Sequence, residues 1–251
     1  MTWWSVQPAV EREFEELIQV ARDAAEANPA GGSLELDPNV VIPREVTDLD
    51  VHHMPGCFHT EYAEDDVAQG AVYHYGTQVF YGGFGKDVKP KGDVAASIAN
   101  YLKLAKPDFK PQWILDLGCT AGANTFPYKE VFPEAEVHGI DVGAPMLRFG
   151  HAWAEAEGIP MHYHQRNAET PGFPDNHFDI ITSSFFFSRA IGAGDEEGAE
   201  RVLPDAKAWR DHAAHGAAAN EPRIPITTSC WIGTASTTTS RTPKNSAIST
   251  F

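Results

Sequence analysis

The chain has 251 residues and a formal net charge of -16. That is long enough for one large α/β domain or two small ones, and one main domain is the simpler expectation. With no basic surplus to displace counterions, a nucleic-acid partner is not expected, and a neutral or cationic small molecule suits the charge better.

Three cysteines, Cys57, Cys119 and Cys230, stand at wide and irregular spacing, so neither a zinc ribbon nor a disulfide framework is indicated. The start, MTWWSVQPAVEREFEEL, has no basic leader followed by an apolar run. Nowhere do about 18 consecutive apolar residues occur. A cytoplasmic protein with no membrane partner is expected.

Val10, Phe14, Leu17, Ile18 and Ala21 recur at helical spacing and Asn28-Pro29 supplies a stop, which predicts one amphipathic helix over 9–27. From Pro29 to about Asp93 periodicity is poor and Gly, Pro and Asp are frequent, so an irregular cap segment is expected. Asp93 is a candidate N-cap for a helix carrying Val94, Ile98, Tyr101, Leu102 and Ala105 on one face. WILDLG (113–118) then reads as a strand, 121–132 as a helix and AEVHGID (135–141) as a second strand. Pro145 opens a helix through Ala156 with Gly158 as its stop, MHYHQ (161–165) reads as a third strand and FDIITSSF (178–185) as a fourth. Strands joined by helices imply a parallel sheet with right-handed crossovers.

The chemistry concentrates in LDLGCTAGANTFPYKEVFPEAEVHGIDVG. One strand ends in Asp116, a turn carries Gly118 and Gly122, and the next strand ends in Asp141. In an open parallel sheet these C-terminal strand ends converge on one crevice. An acid ending the second strand can accept both hydroxyls of a ribose. A helix opening just after the turn would favour a carboxylate. A dinucleotide fold wants GxGxxG, whereas Gly118 and Gly122 are separated by Cys119, Thr120 and Ala121. An NAD-dependent oxidoreductase is therefore disfavoured.

DLGCTAG resembles the first motif of the class I S-adenosylmethionine-dependent methyltransferases, and the likeness continues to Phe187. The resemblance implies a Rossmann-like α/β sheet beneath an N-terminal helical cap, S-adenosyl-L-methionine as cofactor and a small-molecule methyl acceptor. It implies that Asp116, Gly118, Cys119 and Gly122 surround the methionine part, Asp141 the ribose hydroxyls, and Val142 the adenine. Asn167, Ala168 and Glu169 fall on the next adenine motif, and Ser183 and Ser184 on the strand beside the cofactor. Thr120 stands where the family usually has Gly, and a β-branched residue tolerates positive φ poorly. No residue up to Phe187 stands out as a general base. The resemblance divides the chain into a cap (1–92), a cofactor-binding α/β domain (93–187) and an irregular tail (188–251).

Other clusters carry less. His52, His53, Cys57 and His59 lack the paired spacing of metal ligands on a helix, and no metal is expected. Tyr75 and Tyr81 are candidates to reach the site from the cap, with core packing as the alternative.

After Phe187 the family pattern should continue through a helix, a Pro-Gly turn and further strands, and it does not. From Thr227 to Phe251, 13 of 25 residues are Ser or Thr and none is acidic. The C-terminal strands are therefore expected to be missing or scrambled. One account is a disordered tail. The other comes from the genetic code. Read one base later, Trp209 must become Gly, Glu196-Glu197 and Glu197-Gly198 must each become Lys or Arg, Asp205-Ala206 must become Thr or Met, and Lys207-Ala208 must become Lys or Arg. Synonymous choices elsewhere allow HELSVRATKKVLRE followed by YRMLKPGGIMLHMELPP, the missing helix, turn and strand in order. A frameshift or gene-reading error from about Ser188 would leave an inactive cofactor-binding relic as the alternative to an enzyme.

Overall fold

The computed structural model describes residues 2–48, 50, 52–80, 93–174, 177–184, 230–234 and 246–248. The expected N-terminal helix is two helices, α1 (Thr2–Arg12) and α2 (Phe14–Ala27). They are separated at Glu13, where ψ moves to 16°. Backbone bonds from Glu13 N–H to Ala9 O and from Leu17 N–H to Glu13 O carry the spiral through the bend. Asn28 ends α2 in the left-handed conformation at φ 39°, its N–H donating to the Ala24 carbonyl.

The segment expected to be irregular holds more structure than its periodicity shows. It contains β1 (Ser33–Glu35), a short helix α3 (Arg44–Thr47) and α4 (Ala68–Phe80). Asp66 is fully buried and accepts the N–H groups of Tyr62 and Ala68, both at 2.6 Å, which satisfies a free donor at the start of α4. Arg148 pairs with Glu61 and approaches Asp65, which also bonds Arg22, so this loop is tied to two helices.

The domain beyond follows the expected alternation. It runs α5 (Asp93–Ala105), β2 (Trp113–Leu117), α6 (Phe126–Val131), β3 (Glu136–Asp141), α7 (Ala144–Ala156), β4 (His162–Gln165) and β5 (Ile180–Ser184). The helix expected over 121–132 begins only at Phe126. Positive φ at Gly118, Thr120 and Gly122 holds the preceding residues in turns. A helix opening at the glycine turn is therefore absent, and with it the expected dipole contribution there.

One sheet runs in the order β1-β4-β3-β2-β5-β6-β7, with β6 (Cys230–Thr234) and β7 (Ser246–Ile248) as its last members. The first five strands are parallel, and β6 and β7 are antiparallel. The tail shows no strand alternation in its sequence, yet it contributes these two short strands. Without a neighbour, β5 would present a row of unpaired backbone groups, and the β-prone CWIGT segment pairs with them from Ile180↔Thr234 to Ser184↔Cys230. Residues 185–229, which hold most of the text assigned to a shifted frame, lie outside the described residues.

The two faces of the sheet are covered unequally. Ile114, Val137, Tyr163 and Ile180 pack against α5, α6 and α7 in the larger core, which includes Leu102, Phe126 and Leu147. On the other face Leu115, Leu117 and Ile140 meet Ala168 and Phe178, with Phe173 beside them. None of these comes from a helix among the described residues. Parallel sheets normally bury both faces under helices. No described helix is long and apolar enough to cross a membrane.

Candidate nucleoside site

The candidate residues gather at the C-terminal ends of β2, β3, β4 and β5. Asp116, 1% exposed, accepts a 2.6 Å bond at Oδ2 from the Thr125 hydroxyl, while Oδ1 has no partner among the described residues. Burial raises its pKa to about 7, the Thr125 bond opposes the rise, and the nearby Asp141 charge adds to it. A buried acid oxygen without a donor is a position that a ligand cation can satisfy.

The following turn is threaded onto the end of β3. Gly118 and Cys119 donate their N–H groups to the Ile140 carbonyl at 2.8 and 3.0 Å. Thr120 N–H donates to Asp141 Oδ2 at 3.0 Å, and Gly143 N–H to Asp141 Oδ1 at 2.9 Å. Thr120 sits at φ 51°, the left-handed conformation its β-branch disfavours. Its hydroxyl donates to the Cys119 carbonyl at 2.7 Å. The departure seen in the sequence is therefore a strained residue pinned by the Asp141 carboxylate.

Gly122, at φ 89°, clears space for the protein itself: a Cβ there would overlap the buried Tyr163 hydroxyl. Cys119 is buried, and desolvation raises its thiol well above the usual range, so it packs as a small apolar group.

Val142 gives its carbonyl to Gln165 Nε2 at 3.0 Å, and Gln165 Oε1 accepts the Asp37 N–H at 3.1 Å. Gln165, which sequence reading passed over, thereby ties the turn after β3 to the N-terminal segment. Asn167 uses its side-chain oxygen to hold its own loop, accepting the Glu169 N–H at 2.9 Å. Ala168 is buried against the second-face core. At the end of β5 the Ser183 and Ser184 hydroxyls are buried and have no hydrogen-bond partner among the described residues, next to Thr182, which bonds Tyr128 at 2.9 Å.

Of the cap residues, Tyr75 is 41% exposed on α4 and meets the rings of His74 and Phe149. Tyr81 lies outside the described residues. His59, in the cap, lies within electrostatic reach of Asp141. Burial lowers its pKa and the Asp141 charge pulls the other way. Nothing in HHMPGCFH signals this position, because it arises from packing across some eighty residues of chain.

A parallel sheet with an acid at the end of each of two adjacent central strands, and a glycine turn between them, is the arrangement of a Rossmann-like α/β domain. Residues 114–201 match the family model of a methyltransferase domain. The match runs past Ser188. Demethylmenaquinone methyltransferase of Thermus thermophilus is 39% identical over 77 residues, covering 31% of this chain and 35% of the relative. Aklanonic acid methyltransferase DauC of Streptomyces is 38% identical over 85 residues, covering 32% of this chain and 39% of the relative. The chain thus spans little more than a third of the length of these relatives. Among solved structures, the amino pentose methyltransferase CalS10 of Micromonospora echinaspora is 22% identical, with a TM-score of 0.36 over 60% of this chain and 54% of that one.

Proposed function

We propose that the chain binds S-adenosyl-L-methionine in the crevice at the ends of β2 to β5 and belongs to an enzyme that transfers its methyl group to a small molecule. The observation that carries this reading is Asp116, a buried acid with an unpartnered oxygen, set beside Asp141. Both acids suit a ligand that carries an ammonium, a sulfonium and a ribose diol. When bound, the cofactor supplies an electrophilic methyl group released by in-line displacement. Placing the acceptor along that line is much of the catalysis. Asp116 would hold the ammonium, with Gly118, Cys119 and Gly122 shaping the turn around it. Asp141, held in place by the Thr120 and Gly143 N–H groups, would accept from the ribose diol. Val142, Asn167, Ala168 and Glu169 would line the adenine end, and the free hydroxyls of Ser183 and Ser184 the side nearest the acceptor. The names of the relatives mention demethylmenaquinone and aklanonic acid, which supports a small-molecule acceptor.

The frame change from about Ser188 belongs to this reading and rests on the codon constraints at Glu196, Glu197, Asp205, Lys207 and Trp209; the family match itself extends to residue 201. On this reading 1–92 is the cap, 93–187 the cofactor domain, and the remainder the altered part of a longer methyltransferase. The alternative is that the wall facing the acceptor is incomplete and this chain is a relic that binds cofactor without turnover. A methyl-transfer assay with labelled cofactor and a panel of small acceptors separates the two. Transfer by the frame-restored chain is expected. Failure of both chains across the panel, with cofactor bound, would oppose methyl transfer. Cofactor binding by this chain with no transfer, beside transfer by the frame-restored chain, supports the relic, and transfer by this chain refutes it.

A further inference from the structure

The N-terminal cap packs against the turn that follows β3. Residues 52–60 form a run of turns in which His53, Gly56 and Cys57 all have positive φ. The run is anchored by Met54, fully buried in a core shared with Met146 of α7, and by Phe58, which meets Tyr73 edge-on at 5.8 Å. The Phe58 carbonyl lies so close to Gly143 that a Cβ at that position would overlap it. Gly143 is also the residue whose N–H is bonded to Asp141. His59 therefore follows directly on a contact with the turn that fixes the Asp141 carboxylate. Its Nδ1 is buried and has no hydrogen-bond partner among the described residues. Leaving such an atom unsatisfied is costly, and a hydrogen bond from a ligand would offset that cost.

A ligand that serves both groups must offer two adjacent hydroxyls. One donates to the carboxylate, and the other bonds a neutral imidazole nitrogen, which acts as donor or acceptor according to its tautomer. We infer that His59 is a cofactor-binding residue that brackets the ribose diol together with Asp141, which makes the N-terminal cap part of the cofactor site. This rests on the cofactor reading above. It also gives the cap a role in recognising the nucleoside as well as in packing on α7.

The test uses the full chain and 5′-methylthioadenosine, together with its 2′-deoxy and 3′-deoxy forms, titrated by calorimetry into the unaltered protein and His59→Ala. Loss of one hydrogen bond from a buried site predicts about tenfold weaker binding of the parent nucleoside by His59→Ala. For the deoxy form that lacks the hydroxyl held by His59, the unaltered protein and the variant should bind within about twofold of each other. His59→Gln, which keeps a polar group at similar reach, should bind the parent nucleoside more tightly than His59→Ala, and it serves in the same comparison if His59→Ala fails to fold. An equal loss for all three nucleosides marks a purely structural role and overturns the inference. So does no loss for any of them. If the unaltered chain binds none of the three, the cofactor reading falls and takes this inference with it.

Discussion

Replacing Asp141 by Ala should damage the fold as well as ligand binding. The carboxylate accepts the Thr120 N–H at 3.0 Å and the Gly143 N–H at 2.9 Å. Hydrogen bonds to charged groups contribute about 1.5 to 3 kcal/mol each, and a buried donor left unpaired costs about as much. Thr120 is 8% exposed, so its N–H gains little from water, whereas half-buried Asp141 leaves a path for solvent towards Gly143. Thr120 also loses the bond that holds it at φ 51°. Asp141→Ala should therefore destabilise the chain by about 2 to 4 kcal/mol. Asp141→Asn keeps one acceptor oxygen and should lose about half of that. Urea unfolding followed by circular dichroism reads the difference, with the order unaltered, Asn, then Ala. A midpoint for Asp141→Ala equal to that of the unaltered chain would refute the pinning of Thr120. An Asn variant less stable than the Ala variant would do the same.

Asp116 should make stability fall as pH rises. Its pKa in the folded chain, about 7, lies above the ordinary 3.8. Between those values the folded state keeps a proton that the unfolded chain has released, so the contribution is full below about pH 4 and is lost as pH rises through about 7. Asp116→Asn should accordingly gain on the unaltered chain between pH 5 and pH 8, by on the order of 2 kcal/mol in urea unfolding. A difference independent of pH would refute the raised pKa. His138, lowered to about 4 chiefly by burial and then by neighbouring imidazoles, acts in the opposite sense. Its cost builds as pH falls below about 6.5, and His138→Gln should reduce the loss of stability between pH 6.5 and 4.5. Glu155, 2% exposed, accepts the N–H groups of Ala30 and Gly32 at 2.6 and 2.9 Å and so holds the chain entering β1. Glu155→Ala should cost about 3 kcal/mol and open residues 28–36 to limited proteolysis, and an unchanged cleavage pattern would contradict that clamp. Sequencing the gene across the codons for Phe185 to Arg189 should reveal a one-base change of frame. An intact frame, shared with homologous chains that carry the same tail, would refute it.

The sheet around β2 and β3 was legible because short apolar strands ending in acid, separated by a glycine turn, leave few other arrangements. The strain at Thr120 was legible for the same reason: the turn demands positive φ whatever residue stands there. By contrast α4 was hidden. Ala68 through Val72 are all buried, so AQGAVYHYGTQVF shows no amphipathic stripe and carries two glycines as well. β1 is only three residues long and exists because the edge of β4 offers partners from Ser33↔His162 to Glu35↔His164. β6 likewise depends on the open edge of β5, a demand its Ser- and Thr-rich surroundings do not advertise. The place of His59 beside Asp141 and the bridging role of Gln165 arise from packing between distant segments, which no local pattern encodes.

The most direct test of the central claim is calorimetric titration of the full chain with S-adenosylhomocysteine and, separately, with NAD. The account predicts one saturable site for S-adenosylhomocysteine, weakened in Asp141→Asn, and no comparable binding of NAD. Tight NAD binding with no binding of S-adenosylhomocysteine would contradict it.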